Sequence, residues 1–159
     1  MLKKGLTLSR LGLEDFLVRS IEEEDIELLR IWKNYYRDRF FFKGIITESM
    51  QKNWFDFYLK REHDFMLIIL NKKEKIGCLG FRRLDDRVDL YNLIIGQRKN
   101  SGNGHMTNAL DLVCKEIKKR YQDMPIMVSV LKQNPNLQWY FRRDFIVVTE
   151  YPDYLDLRR

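Results

Sequence analysis

Cysteine is nearly absent: only Cys78 and Cys114 occur among 159 residues. Two thiols far apart in sequence exclude a disulfide framework, and with only His63 and His105 beside them no metal-ligand spacing arises. No metal is therefore expected, and both thiols are expected to be buried and free in a cytoplasmic, reducing compartment. Proline (3) and glycine (8) are scarce, which excludes collagen-like or low-complexity sequence and leaves no flexible linker. The most hydrophobic run, Phe65 to Leu70, has only strand length, so neither a membrane-spanning helix nor a secretory segment is expected, and no membrane partner. A stripe of one charge is also missing. The net charge of +6 comes from scattered basic residues interleaved with acids such as Glu22 to Asp25, a pattern that does not point to a nucleic-acid partner. It suits instead a small ligand that carries phosphates. With 45% hydrophobic and 13% aromatic content, the chain can bury one core and is too short for two ordinary domains. Residues 1–159 are read as a single α/β domain, monomeric or homodimeric, with residues 1–14 accommodating an extra N-terminal strand and turn.

What is present concentrates between Val88 and Ile117. Val88, Leu90, Leu93, Ile94 and Ile95 form a strand pattern that runs into the polar turn Lys99-Asn100-Ser101-Gly102-Asn103-Gly104. Met106, Leu110, Val113 and Ile117 follow at steps of four, three and four, the spacing of one helix face. Two glycines two apart let backbone approach a ligand without a Cβ clash, and the free N–H groups of the first helical turn favour phosphate oxygens. Read alone, the segment fits equally an anion cradle and a glycine-rich connection that merely starts a helix. A dinucleotide fingerprint would need a third glycine where Thr107 stands, and no Gly-Lys-Ser/Thr occurs anywhere. Both common nucleotide folds are thereby disfavoured.

A basic residue, two spacers, Gly, one spacer and Gly, here Lys99 to Gly104, resembles the pyrophosphate-binding loop of the GCN5-related N-acetyltransferases, the GNAT family. Lys99 departs from the usual Arg or Gln and loses the fork geometry while keeping the charge. A second segment is similar to the family in the same order: a strand over Pro125 to Leu131, a turn at Gln133 to Asn136, and a short helix from Leu137 to Phe145. Tyr140 lies five residues before Phe145, at the family's spacing, and Asp144 stands where glycine is usual.

The remaining elements agree with that resemblance. Phe16 to Ser20 reads as a strand, and Ser20-Ile21-Glu22-Glu23 has capping-box spacing for a helix to about Asn34 with Ile26, Leu29 and Ile31 inward. Thr47 caps a second helix with Met50, Trp54 and Phe57 on one side. Phe65 to Leu70 and Ile76 to Phe81 form a hairpin across Asn71-Lys72-Lys73-Glu74, and Asp85-Asp86-Arg87 turns the chain into the glycine-loop strand. The order implies the GNAT fold, a mixed central sheet flanked by helices and splayed between its strands 4 and 5.

The resemblance implies acetyl-CoA as cofactor. It would be held by the splayed backbone of Leu93, Ile94 and Ile95, by Lys99, Asn100, Ser101, Gly102, Asn103, Gly104, His105 and Met106, and by Asn134. It also implies an amine acceptor, a proton donor to the departing thiolate and a group that accepts the amine's proton. Tyr140 is the candidate acid and Asp89 the candidate base. Trp32-Lys33-Asn34, then Arg37 to Phe42, then Thr47 to Tyr58 resemble the segment that walls the acceptor in bacterial relatives that acetylate amino sugars on nucleotide carriers; Arg37 and Arg39 with Phe41 and Phe42 are the candidate acceptor residues, although aromatic runs are as often core. The expected activity is acetyl transfer to a small primary amine. A protein N-terminal acetyltransferase of the ribosomal-protein type and a non-catalytic coenzyme A sensor are the alternatives.

Overall fold

Phe65 to Leu70 has no polar residue to turn toward water, so both faces of any strand it forms must be covered. The computed structural model, which describes residues 5–159, meets that demand with one mixed sheet and helices on both faces. The elements in chain order are β1 (Thr7–Leu8), β2 (Phe16–Ser20), α1 (Ile26–Tyr35), α2 (Glu48–Tyr58), β3 (Asp64–Asn71), β4 (Glu74–Arg83), β5 (Val88–Ile95), α3 (His105–Tyr121), β6 (Ile126–Leu131), α4 (Leu137–Phe141), β7 (Ile146–Glu150) and β8 (Tyr154–Arg158). The eight strands lie in the order β1-β2-β3-β4-β5-β6-β8-β7. Phe65, Leu67 and Ile69 pack with Leu110, Val113 and Ile117 of α3, while Met66 and Ile68 pack with Leu29 and Trp32 of α1 and Phe55 and Tyr58 of α2.

The splay has a local cause. β5 and β6 are parallel and paired only through Val88, Asp89 and Leu90. Immediately beyond, Tyr91 pairs with Gly80 and Ile94 with Cys78, so two residues of β5 face one of β4. Asn92 takes the extra position with φ 51°, a bulge at a residue type that tolerates left-handed backbone. Past this bulge β5 has no strand partner on its β6 side among the described residues. With β1 counted as an extra edge strand, the opening lies between β5 and β6, which are strands 4 and 5 of the sheet read from Phe16 onward.

Several local expectations are corrected. The capping box is not at Ser20: Ser20 closes β2, where its Oγ accepts from the backbone of Leu6 at 3.0 Å. The box lies instead at Glu22 and Asp25, on a 3₁₀ turn that leads into α1. Distant cations decide this, because buried Asp25 accepts from Arg19 at 2.8 Å and lies 2.6 Å from Lys75. Burial opposes the charge on Asp25, but the Arg19 and Lys75 hydrogen bonds outweigh it and hold the carboxyl below its ordinary range. On α1 the inward residue is Trp32, not Ile31, which is half exposed. Trp32 lies on Gly96, where a Cβ would stand 2.0 Å from the indole, so only glycine fits there. On α2, Met50 and Phe57 face solvent and Gln51, Phe55 and Tyr58 are buried. The helix is rotated by two long-range hydrogen bonds, Gln51 Nε2 to the Ile26 carbonyl at 2.8 Å and the Met66 backbone N–H to the Tyr58 hydroxyl at 2.9 Å. The cap itself is at Thr47, whose hydroxyl accepts from the Met50 N–H at 3.2 Å. His63 lies in the turn after α2 and contacts the Tyr121 hydroxyl at 3.3 Å.

Candidate active site

Gly102 and Gly104 both adopt φ +78°, a backbone region that L side chains rarely enter. At neither does a Cβ position meet protein within 4 Å. The loop is thus bent by glycine while its inner side stays open. Gly104 is the N-cap of α3, and no acid occupies the first turn of that helix to compete for its free N–H groups. The loop, the free edge of β5 at Leu93 to Ile95, and α4 together border a groove of about 720 Å³. Of the sequence-named cofactor residues, Leu93, Ile94, Ile95, Asn100, Ser101, Gly102, Gly104, His105 and Met106 line it.

Lys99 and Asn103 do not. Lys99 turns outward to Glu74 at 2.9 Å, and the Asn103 amide reaches back to the Lys99 carbonyl at 3.4 Å. The arginines in the groove are Arg39, Arg98 and Arg143, of which the motif spacing singled out neither Arg98 nor Arg143. Arg143 is set by its Nε–H bond to the Thr107 hydroxyl at 2.8 Å. Asn134 is also displaced from expectation: it borders a second cavity, and its side-chain oxygen accepts from the Asn136 N–H at 2.9 Å. Asn136 lines both spaces.

The second cavity, about 510 Å³, opens on the other side of the splay. Arg39, Phe40, Leu93, Asn136 and Tyr140 border both cavities, so the two meet at these residues. Tyr140 is buried, with its ring held edge-on by Trp139 at 5.1 Å and Phe145 at 5.5 Å. The helix that carries it ends at Phe141, not Phe145, and the chain returns through Asp144 at φ 65°. That left-handed turn explains why glycine is usual at this position and why Asp, a tolerated type, serves here. Burial raises the Tyr140 phenol well above its ordinary value, and among the described residues its hydroxyl has no hydrogen-bond partner.

Asp89 borders the second cavity and accepts from Arg82 through Nε at 3.2 Å and Nη2 at 3.0 Å. Burial raises its carboxyl while Arg82 opposes the rise. Phe41 and Phe42 are not core: they are 56% and 52% exposed and wall this cavity with Trp54 and Tyr154. Phe41 meets Tyr154 edge-on at 4.9 Å. Arg39 also lines it, stacked over Tyr36 at 4.3 Å. Arg37 does not; its guanidinium donates to the Asn34 carbonyl at 3.3 Å, at the surface.

Sequence pattern missed Tyr154, which tertiary packing brings to the cavity from a segment with no motif of its own. Lys33 and Trp54 lie in the stretch similar to the acceptor segment of relatives, but nothing in its spacing singled them out. This lysine borders the second cavity from α1, donates to the Asn92 side-chain oxygen and lies 3.4 Å from the centroid of Phe40.

A groove built on a glycine loop and a helix N-terminus, opening at a splayed sheet onto a second cavity, agrees with the family comparison. Residues 15–143 match the acetyltransferase (GNAT) domain model. The chain belongs to the GNAT acetyltransferase family. It is an N-acetyltransferase of the acyltransferase class that uses acetyl-CoA. Among solved structures, a domain from Methanocaldococcus jannaschii DSM 2661 is 18% identical with a TM-score of 0.80, covering 91% of this chain and 97% of that one. An apo nucleotide-linked sugar GNAT, FdhC, is 14% identical with a TM-score of 0.77, covering 96% and 90%. The ribosomal L7/L12 α-N-protein acetyltransferase RimL, in complex with coenzyme A, is 16% identical with a TM-score of 0.72, covering 91% and 92%. No curated protein sequence matches the chain. Among the described residues no helix is long and apolar enough to cross a membrane.

The groove fits coenzyme A on its own chemistry. Asn100, which lines it, has a buried Nδ2 with no hydrogen-bond partner among the described residues, a donor that a polar ligand would satisfy. The open space at both glycines and the flanking Arg98 and Arg143 suit phosphates.

Proposed function

We propose that the protein transfers the acetyl group to the primary amine of a small molecule, with a nucleotide-linked amino sugar as the first candidate. The observation that carries this reading is the meeting of the two cavities at Tyr140 and Leu93. One cavity carries the glycine loop and the start of α3 and suits a pyrophosphate; the other is aromatic and cationic and is large enough for a sugar-sized ligand. Phe41, Phe42, Trp54 and Tyr154 supply ring faces for a sugar, and Arg39 supplies a charge for a phosphate.

Acetyl-CoA supplies the thioester carbon that the amine attacks and a thiolate that leaves. Gly102 to Met106 and the unpaired edge of β5 bind and orient the donor. An alkyl amine with a pKa near 10 arrives mostly protonated, so a group at the second cavity must take its proton. Asp89 takes that role. Its Oδ2 is occupied by Arg82, and Oδ1 has no partner among the described residues; burial makes it a stronger base than a surface carboxylate. Tyr140 donates its hydroxyl proton to the departing sulfur. Its raised pKa keeps it protonated at neutral pH, and its packing between Trp139 and Phe145 fixes the ring and hence the position of its hydroxyl oxygen.

The second reading is acetylation of a protein N-terminus, favoured by the similarity in fold to the ribosomal-protein enzyme. An acceptor screen that reads free thiol release separates the two. Nucleotide-linked and free amino sugars, an aminoglycoside, a polyamine and a peptide with a free N-terminus would be compared at fixed acetyl-CoA. The highest kcat/KM is expected for the nucleotide-linked sugar. Preference for the peptide overturns the proposal in favour of the second reading, and no thiol release on any amine overturns both.

A further inference from the structure

Three cations line the acceptor cavity: Lys33, Arg39 and Arg82. Only Arg82 has a carboxylate partner, Asp89. Lys33 has none among the described residues, and neither has Arg39. A half-buried ammonium without a counter-charge is costly, and proteins ordinarily pair such a group or neutralise it. The contacts that Lys33 does make, the amide oxygen of Asn92 and the face of Phe40, both favour its charged form.

Its position sharpens the point. Asn92 is the bulged residue of β5, next to Leu93, where the cavities meet. Lys33 is thereby held at the splay, on the acceptor side. Arg39 enters from the segment after α1 and borders both cavities.

We infer that Lys33 and Arg39 form an anion subsite, and that the acceptor carries a carboxylate or a phosphate on the same small molecule as its amine. The inference rests on the small-molecule reading above and narrows it to anionic amines. Lys33 is the anchor nearest the splay. Arg39, whose guanidinium is already stacked on Tyr36 and so partly ordered, contributes the directional donors. An anion would complete the pairing that the fold leaves open. In the free protein, burial depresses Lys33 to about 8, with Arg82 adding to the fall; Cys78 nearby is pushed up to about 12 by burial, so it stays a neutral thiol and supplies no counter-charge. A phosphate or carboxylate close to Lys33 would restore the ammonium.

The test has one arm that needs no turnover. Lysine side-chain carbons of the full chain are followed by NMR through a pH titration, with Lys33 assigned by its loss in Lys33→Met and, should that variant fold poorly, in Lys33→Arg. The titration is repeated with pyrophosphate, inorganic phosphate and malonate as probes. A phosphate probe, the dicarboxylate or both should raise the pH at which Lys33 deprotonates by about one unit or more. Which probe acts identifies the anion as phosphate or carboxylate. No movement with any of the three overturns the subsite.

The second arm is kinetic and compares matched amines with and without the anionic group, such as glucosamine 6-phosphate with glucosamine. Lys33→Met should raise KM about tenfold for the anionic member, leave acetyl-CoA KM nearly unchanged, and be partly rescued in Lys33→Arg. Equal loss on both members overturns the inference and leaves the small-amine reading standing. Absence of turnover on every amine removes that reading, while the titration still decides whether an anion binds at Lys33.

Discussion

The donor groove and the acceptor cavity share a border, yet they are built from different materials. The end of the groove suited to phosphates rests on one contiguous stretch of backbone: two left-handed glycines, the start of a helix and the open edge of β5, all within Leu93 to Met106. The cavity is mostly side chain, with Lys33, Arg39, Trp54, Asp89, Asn134 and Tyr154 converging from α1, the segment after it, α2, β5, the turn after β6, and β8. A site made of backbone is coded by contiguous residues whose type dictates conformation. A site made of side chains depends on how separate elements are docked, so its chemistry changes whenever a helix turns by one position.

If that contrast is right, the acceptor side is the one that depends on the docking of α1. Trp32→Ala should cost about 3–5 kcal/mol, since it removes a buried indole and leaves a cavity above Gly96. Urea denaturation measures it, and a loss near zero would mean that α1 is held by something else. Asp25→Asn should cost about 3 kcal/mol by leaving Arg19 and Lys75 without their buried counter-charge. Because the Asp25 carboxyl is held low in the folded protein, the stability it contributes is complete above its unfolded pKa of about 3.9 and is lost as pH falls toward the folded value. The acid limb of the stability curve should therefore be shallower in the variant, as thermal melts across the acid range would show.

Gly104→Val should weaken coenzyme A binding at least about tenfold, because a β-branched residue resists φ +78° and its side chain would enter the space that the loop keeps open. Calorimetry on a folded variant checks this, and unchanged affinity would sink the role given to the loop. Tyr140→Phe keeps the ring packed and deletes only the hydroxyl. It should lower kcat at least about tenfold with coenzyme A affinity nearly unchanged. Turnover within twofold, with no movement of the alkaline limb, would make Tyr140 a packing residue and assign the proton to water.

The smallest effect separates two neighbouring arginines. Arg39→Ala should raise acceptor KM severalfold, and Arg37→Ala should leave it nearly unchanged, because only Arg39 borders the cavity. Steady-state kinetics with acetyl-CoA saturating decides it. An equal loss from both would show that the Arg37 side chain moves inward when the acceptor binds.

Legibility followed the same division. Gly102, Gly104 and the face of α3 could be read directly, since glycine spacing and a 3.6-residue period are local properties. Tyr140 was found by its interval to Phe145, and the strained Asp144 was visible as a departure at a position that needs left-handed backbone. Lys99 was misplaced for a simple reason: spacing locates a basic residue on the loop but not the side it faces, and here Glu74 draws it outward while Arg98 turns in. The faces of both early helices were misread where long-range bonds, Gln51 to Ile26 and Tyr58 to Met66, set the rotation.

The sequence alone therefore determined the order of elements, the glycine loop at the head of α3 and the chemical family, because each rests on residue types that restrict their own backbone. Only the tertiary structure decided that Asn92 bulges to open the sheet, that Gly96 seats Trp32, and that Lys33 and Arg39 face one cavity without a counter-charge among the described residues. Those outcomes depend on which surfaces meet, and surfaces that meet from distant parts of a chain leave no spacing to read.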